Sequence, residues 1–175
     1  MQVQYIHTTL GWSAAAWQDS QLAGITLPCT DKEAALTALA SYLKLDAKSL
    51  AGENLAKPDK FQQHLEESLL QYFAGKPVTF NLPISWQRVT PFQQRVLKVV
   101  AAIPYGESLT YGEIARIIGC PRGPRAVGGA VGANPWLLVV PCHRVLARER
   151  GLGGFGCGLA WKKRLLEIEG ISYKE

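Results

Sequence analysis

The chain has 175 residues, 47% hydrophobic and 19% charged, with a net charge of +5. That length fits one domain or two small ones, and that balance supplies a packed core and excludes a disordered chain. No uncharged apolar run reaches membrane-spanning length, and Met1 to Leu10 lacks the pattern of a secretory leader, so the expected location is a reducing cytoplasm, nucleoid-associated in a prokaryote.

Residues 2–8 roughly alternate and predict a strand. Residues 10–17 and 22–27 predict two more, joined at Asp19-Ser20 as an antiparallel hairpin, although Ala14-Ala15-Ala16 is poor strand material. Thr30 and Glu33 form a capping box, and Ala34, Leu36, Leu39, Ala40 and Leu43 follow at helical spacing. Residues 46–57 read as loop or short turns. Pro58 is placed to open a helix with a buried stripe of Phe61, Leu65, Leu69, Tyr72 and Phe73, closed by Gly75. Val78 to Ile84 suits an edge strand, the one place where Pro83 is tolerated. Glu66-Glu67 is read as a solvated helix face, and residues 1–84 carry no chemical constellation. The domain boundary is expected near 84–90, giving an N-terminal supporting domain (1–84) and a C-terminal one (85–175).

Thr90-Pro91-Phe92-Gln93 repeats the helix-start signal, and Val96, Leu97, Val99 and Val100 continue it to Ile103-Pro104. Thr110 to Glu113 is a third capping box, starting a short helix with Ile114, Ala115, Ile117 and Ile118 inward and Gly119 as its stop. Arg125 to Ala133 predicts a second short helix, ended by Asn134-Pro135. Two short helices joined by a tight turn make a helix-turn-helix. Gly128, Gly129 and Gly132 each cost that second helix about 1 kcal/mol relative to Ala. Such a helix persists if it packs closely on a neighbour or if a bare face is needed; both readings stand. Arg125 is its single long polar side chain, which favours shape-based or minor-groove contact over base readout. Residues 151–158 form a glycine-rich loop without the residues of a phosphate-binding loop. Leu159 to Glu169 is the last helix, basic at 162–164, with Gly170 as C-cap and the Glu169 carboxylate where the helix dipole disfavours it.

Charge divides the chain. Residues 1–84 hold 6 Lys, no Arg and 8 acids, net −2; residues 85–175 hold 13 basic and 6 acidic residues, net +7, with all 9 arginines. A basic, arginine-bearing second half suits nucleic acid, and equally a solvated basic surface. Cys29, Cys120, Cys142 and Cys157 are scattered and do not group with His7, His64 or His143, so no disulfide framework, metal site or cofactor is expected.

The stretch Val139-Val140-Pro141-Cys142-His143-Arg144-Val145 carries the chemistry. An apolar run, 137–140, predicts a buried strand that Pro141 must stop or turn. A thiol just beyond it, beside two potential cations, is placed to react as a thiolate of lowered pKa. A buried inert cysteine beside a surface histidine is the plainer reading of the pair alone.

The whole string resembles the active-site motif of the O6-alkylguanine-DNA alkyltransferases. The likeness extends over roughly 88–170: Thr110-Tyr111, Arg125 to Ala130, Asn134-Pro135, Pro141 to Val145, the glycine loop, and the terminal helix with Glu169-Gly170. The resemblance implies an α+β chain: a small antiparallel sheet with helices, ribonuclease-H-like, then a mainly helical, winged-helix-like domain with the helix-turn-helix. It implies direct, single-turnover repair of O6-alkylguanine, and of O4-alkylthymine, in double-stranded DNA by a monomer, with no membrane involved. Cys142 is then the nucleophile, His143 its base through a water, Glu169 the orienter and Asn134 the brace of the turn. Adjacent side chains of an extended chain point apart, which is the reason for expecting that water. Arg125 fills the stack left by the rotated nucleotide, and Tyr111 crowds the 3′ phosphate and hydrogen-bonds the base. Ala126, Gly128, Gly129 and Ala130 give the DNA-facing surface. Trp136, Val145, Phe155, Gly156 and Cys157 line the pocket, with the carbonyls of Cys142 and Val145 and the amide of Gly156 meeting the base.

Phe155 stands where the family usually has Tyr, and Cys157 where it usually has Gly. Cys142 separates this chain from the related non-transferring proteins that carry Trp there, and the zinc ligands of some animal relatives are not matched. A DNA-binding lesion sensor or regulator without chemistry, and a Cys-His hydrolase, are the competing readings.

Overall fold

The computed structural model describes residues 1–50 and 57–175 as two compact units, one formed by 1–88 with 135–139 and the other by 89–134 with 140–175. The contiguous division at 84/85 is therefore replaced by one in which a five-residue segment of the second half belongs with the first unit. Among the described residues no helix is long and apolar enough to cross a membrane.

The first unit is built on a three-stranded antiparallel sheet in the order β1 (Gln2–Thr8), β2 (Gly11–Gln18), β3 (Gln21–Ile25). Asp19 and Ser20 sit at φ 51° and 57°, the left-handed pair that a two-residue hairpin turn of matching twist requires. The alanines at 14–16 are strand after all, and all three are fully buried. Helix α1 (Lys32–Leu43) packs on β2 and β3, and Ala14, Ala16 and Ala23 let Leu39, Ala40 and Leu43 approach closely. Burial overrides the weak strand propensity of alanine. The cap of α1 is Asp31, whose carboxylate accepts from the Ala34 N–H at 2.8 Å, rather than Thr30. A one-turn helix, α2 (Ala47–Leu50), falls within the stretch expected as loop or short turns, whose positions 51–56 lie outside the described residues. Asp59, not Pro58, caps α3 (Lys60–Phe73), in a reciprocal box with Gln62. The edge strand expected over 78–84 reduces to a single parallel bridge: Leu22 donates to the Pro83 carbonyl at 2.8 Å and its own carbonyl accepts from Ser85 at 3.0 Å.

The apolar run at 137–140 is buried but is not a strand. Leu138 turns through φ 69°, the Ile25 N–H donates to the Pro135 carbonyl at 2.8 Å, and the fully enclosed Trp136 indole donates to the Leu22 carbonyl at 2.9 Å while its ring lies 4.9 Å from that of Trp86. Burial without regular pairing explains why an apolar run read as a strand became a pair of turns.

In the second unit, Thr90 and Gln93 close the expected capping box at α4 (Pro91–Ala101), and Thr110 and Glu113 close theirs at α5 (Tyr111–Ile117). Helix α6 (Pro124–Gly132) follows α5 across a six-residue connection, and the two pack together and on α4 as a helix-turn-helix. A two-residue strand, β4 (Leu109–Thr110), pairs in parallel with β5 (Val145–Leu146), and α7 (Leu159–Ile168) packs on the turn between Pro141 and Val145. The β4–β5 pair places the start of α5 beside the residues that follow Cys142.

Candidate active site

Pro141 makes the turn by its fixed φ. At φ −79°, ψ 67° it forms an inverse γ-turn in which the Cys142 N–H donates to the Val140 carbonyl at 2.8 Å. Cys142, His143 and Arg144 then form one turn of 3-10 helix, closed by the Val145 N–H on the Cys142 carbonyl. The chain is thus coiled rather than extended at the nucleophile. Successive side chains still diverge, by about 120° in a helix of three residues per turn. Asn134 braces the turn from outside: its amide donates to the Val140 carbonyl at 2.8 Å.

The Cys142 thiol is 5% exposed. Burial pushes its pKa up to about 11; the Asn134 side chain and the Lys162 ammonium pull the other way, and Cys157 adds to the rise. The lowered value expected from neighbouring cations is not found. Of those two cations, His143 is held neutral and Arg144 is turned elsewhere. The resting nucleophile is a neutral thiol, so the thiolate must be made when it is needed.

His143 is 1% exposed, and burial lowers its pKa despite the adjacent Glu169. His143 Nε2 lies 2.6 Å from Glu169 Oε1. Burial disfavours the Glu169 charge, yet hydrogen bonds from His143 and Arg144 outweigh it and hold the carboxyl at about 2. An ionised carboxylate only accepts, so Nε2 carries the hydrogen and Nδ1 keeps its lone pair for use as a base. Arg144 donates to Glu169 Oε2 at 2.7 Å and to Oε1 at 3.1 Å, and to the Ile103 carbonyl at 2.5 Å; the Gly106 N–H adds 3.2 Å to Oε2. This fork resolves the carboxylate at an unfavourable helix end: its partners are a guanidinium and an imidazole.

Tyr111 opens α5 beside this turn. Burial, then the Cys142 charge, raise its pKa, which keeps the hydroxyl protonated. A Cβ on Gly128 of α6 would touch its ring at 3.9 Å, and one on Gly153 would come to 3.3 Å. Gly153, at φ 66°, is a position that only glycine fills easily, and it lets the loop lie against the Tyr111 ring.

Close packing does not account for the glycines of this helix: a Cβ at Gly128 would make ordinary contact with the Tyr111 ring at 3.9 Å, and added Cβ atoms at Gly129 and Gly132 would meet nothing within 4 Å. Arg125, Ala126, Gly129, Gly132 and Ala133 are exposed. Ala130 is 3% exposed and faces the core, which removes it from the expected DNA-facing surface. Trp136 leaves the expected pocket as well, since its indole is enclosed in the first unit. Val145 is buried with its carbonyl on Lys162, Phe155 and Cys157 are half-buried, and Gly156 is exposed within a turn closed by the Gly158 N–H on the Phe155 carbonyl at 3.0 Å.

Two residues were not singled out from the sequence. Arg144 was read as a neighbour of the thiol and proves to be the partner of Glu169. Lys162 is fully buried in α7, and its signal was present: Lys162, Leu165, Leu166 and Glu169 are spaced as one helix face, with polar residues at both ends of an inward stripe. Among the described residues no group of three or more His, Cys, Asp or Glu could hold a metal ion.

Residues 91–171 match the family model described as 6-O-methylguanine DNA methyltransferase, DNA binding domain. The chain is 48% identical over 111 residues to the constitutive methylated-DNA–protein-cysteine methyltransferase of Bacillus subtilis strain 168, covering 63% of this chain and 67% of that one. It is 47% identical over 104 residues to the methylated-DNA–protein-cysteine methyltransferase of Haemophilus influenzae, where the match spans 59% of this chain and 58% of the relative. The crystal structure of Mycobacterium tuberculosis OGT in complex with DNA superposes with a TM-score of 0.73 at 33% identity, covering 97% of this chain and 92% of that one.

Proposed function

The chain belongs to the O6-alkylguanine-DNA alkyltransferase family, and from that premise we propose that it repairs O6-alkylguanine, and O4-alkylthymine, in double-stranded DNA by moving the alkyl group to Cys142. The observation that carries the reading is the hydrogen-bonded line from Glu169 to His143, one residue from the only thiol in the turn that Asn134 braces. A neutral thiol beside a neutral imidazole suits a nucleophile deprotonated on demand. His143 Nδ1 takes the Cys142 proton through one water, Glu169 stabilises the imidazolium, and sulfur forms the C–S bond as the bond from carbon to O6 breaks. The base leaves with its oxygen, the protonated Tyr111 hydroxyl donating to it.

The target atom lies inside the duplex, so the nucleotide must rotate out. The exposed side-chain-free face at Gly129 and Gly132 supports close approach to a groove, and Arg125 at the head of the same helix fills the gap. The carbonyls of Cys142 and Val145 each have one lone pair in use and a second for a base amino group. The nucleophile, base and orienter come from one chain, which supports action as a monomer; four free cysteines support a reducing, cytoplasmic setting.

Mass measurement after incubation with an O6-methylguanine duplex tests the reading: one methyl on Cys142 and no more is expected. No methyl on a chain that binds the duplex leaves the lesion-sensor reading instead.

A further inference from the structure

A two-residue turn with a positive φ at both central positions favours Asn-Gly. The turn that follows β5 puts Glu149 at φ 59° and Arg150 at φ 65°, and the Gly151 N–H closes it on the Arg148 carbonyl at 3.1 Å. Long side chains rarely take this conformation, and it persists where the surrounding structure over-determines it. The Arg148 and Glu149 side chains are 94% and 72% exposed and meet each other at 3.8 Å, so the turn is not kept for what they hold. Arg150 folds back instead. Its guanidinium donates to the Ser108 carbonyl at 2.8 Å and to the Ser108 hydroxyl oxygen at 2.9 Å, and lies 3.7 Å from Glu113 Oε1. Its own carbonyl accepts from the Lys174 N–H at 2.8 Å, while the Leu152 N–H donates to the Lys174 carbonyl at 3.0 Å. Backbone and side chain of this arginine are both fixed.

What Arg150 grips is the short segment that bears Tyr111. Ser108 precedes β4, and Glu113 closes the capping box of α5, its Oε2 accepting from the Thr110 N–H at 2.6 Å and the Thr110 hydroxyl at 2.8 Å. Those bonds from Thr110, with the charges of Arg150 and Arg116 added, hold the Glu113 carboxyl below its ordinary range. A part-exposed ion pair contributes little alone, so the two bonds to Ser108 are the firmer hold and Glu113 is the second anchor. Tyr111 lies between these anchors. The same turn reaches its ring: a Cβ on Gly153 would come to 3.3 Å from the Tyr111 ring and 3.4 Å from the Ala147 Cβ.

We propose that Arg150 is a positioning residue of the transfer site: from a left-handed backbone position it pins Ser108 and Glu113 on either side of Tyr111, and so sets where the phenol stands against the departing base. The proposal deepens the alkyl-transfer reading and rests on it. In that step the thiol proton leaves to His143 and the C–S bond forms as the bond from carbon to O6 breaks. The base keeps the electron pair of the broken bond and takes a proton from Tyr111, which solvent restores. Arg150 gives and takes no proton.

The test compares wild type, Arg150→Gly, Tyr111→Phe and the double variant in single-turnover methyl transfer from an O6-methylguanine duplex. Glycine suits a positive φ, so Arg150→Gly removes the guanidinium without straining the turn. Misplacing a reacting group by about 1 Å costs up to about a hundredfold in rate, so Arg150→Gly should lower the rate at saturating duplex by at least about tenfold and leave the half-saturating concentration little changed. In the Tyr111→Phe background the same change should slow transfer no further, because two residues that act through one group are not additive. An unchanged saturating rate with weaker half-saturation, the mark of a phosphate contact by Arg150, overturns the proposal. So does an equal slowing in both backgrounds, the mark of general loosening.

Amide hydrogen exchange reads the same tether without DNA. Arg150→Gly should speed exchange over residues 109–114 and leave α4 as it is in wild type. Unchanged exchange over 109–114, or faster exchange throughout the chain, overturns the proposal whether or not methyl transfer occurs. Faster exchange confined to 109–114, in a protein whose wild type transfers no methyl, overturns the alkyl-transfer reading alone.

Discussion

His143 Nε2 and Glu169 Oε1 are 2.6 Å apart, and both side chains are closed to solvent. This pairing fixes the imidazole tautomer, and with it which nitrogen can act as a base. It also makes the site sensitive to acid in a way that its neutral thiol is not.

The Glu169 carboxyl, held at about 2, lies below its ordinary 4.5, so its contribution to stability is complete above 4.5 and is lost as pH falls towards 2. That shift corresponds to roughly 3 kcal/mol. His143 adds in the same direction, because its depressed pKa makes protonation unfavourable in the folded chain as pH falls below 6.5. Thermal unfolding followed from neutral to acid should show a steep loss over this window, and Glu169→Gln should flatten it. An equal slope in that variant would remove Glu169 from the effect.

Cys142→Ser should abolish alkyl transfer while leaving affinity for lesion-bearing duplex within a few-fold, since a hydroxyl is a far weaker nucleophile in the same braced turn. Binding by gel shift and transfer by mass separate the two. Wild-type transfer by the serine chain would take the nucleophile's role from Cys142.

Arg144→Met leaves the Glu169 carboxylate buried with its guanidinium partner gone, and truncating one side of a buried pair costs about 3–5 kcal/mol. The variant should melt well below Cys142→Ser. A melting temperature equal to wild type would show that the guanidinium fork is not what holds the carboxylate.

Gly129→Ala separates stability from binding. Its Cβ enters open space, and an alanine inside a helix gains about 1 kcal/mol over glycine. The chain should therefore melt higher and, if the bare face is the contact surface as proposed, bind duplex DNA less tightly. Tighter binding would sink the groove-approach role of that face.

Arg125→Ala should slow repair of duplex substrate more than reaction with a free O6-alkylguanine base, because only the duplex leaves a gap to fill. Equal losses on both substrates would point to a pocket role instead.

The elements most legible in the sequence were those with local causes. The Thr90 and Thr110 boxes and the short helix pair rest on interactions within four residues, and their chemistry is written in adjacent letters. Cys142, His143 and Glu169 were reached through resemblance to a motif, and the structure brings them together. The misreadings have non-local causes. Ala14–Ala16 looked too weak for a strand because the helix that covers it cannot be seen from the strand. Residues 137–140 looked like a strand because apolar content reports burial and not conformation. The thiol was expected to be activated at rest because charge in sequence is not charge in space: Arg144 spends its fork on Glu169. The two-residue β4–β5 pair is too short to leave a pattern.

Residues 135–139 give the first unit a part that arrives late in translation. The β1–β3 sheet is synthesised early, but Leu22 and Ile25 wait more than a hundred residues for the backbone and indole that complete their hydrogen bonds. Neither unit is a detachable cassette. A gene cut at 88/89 would leave the downstream piece with Trp136 and its apolar neighbours uncovered two residues before the active-site turn, and the upstream piece with a gap in its core.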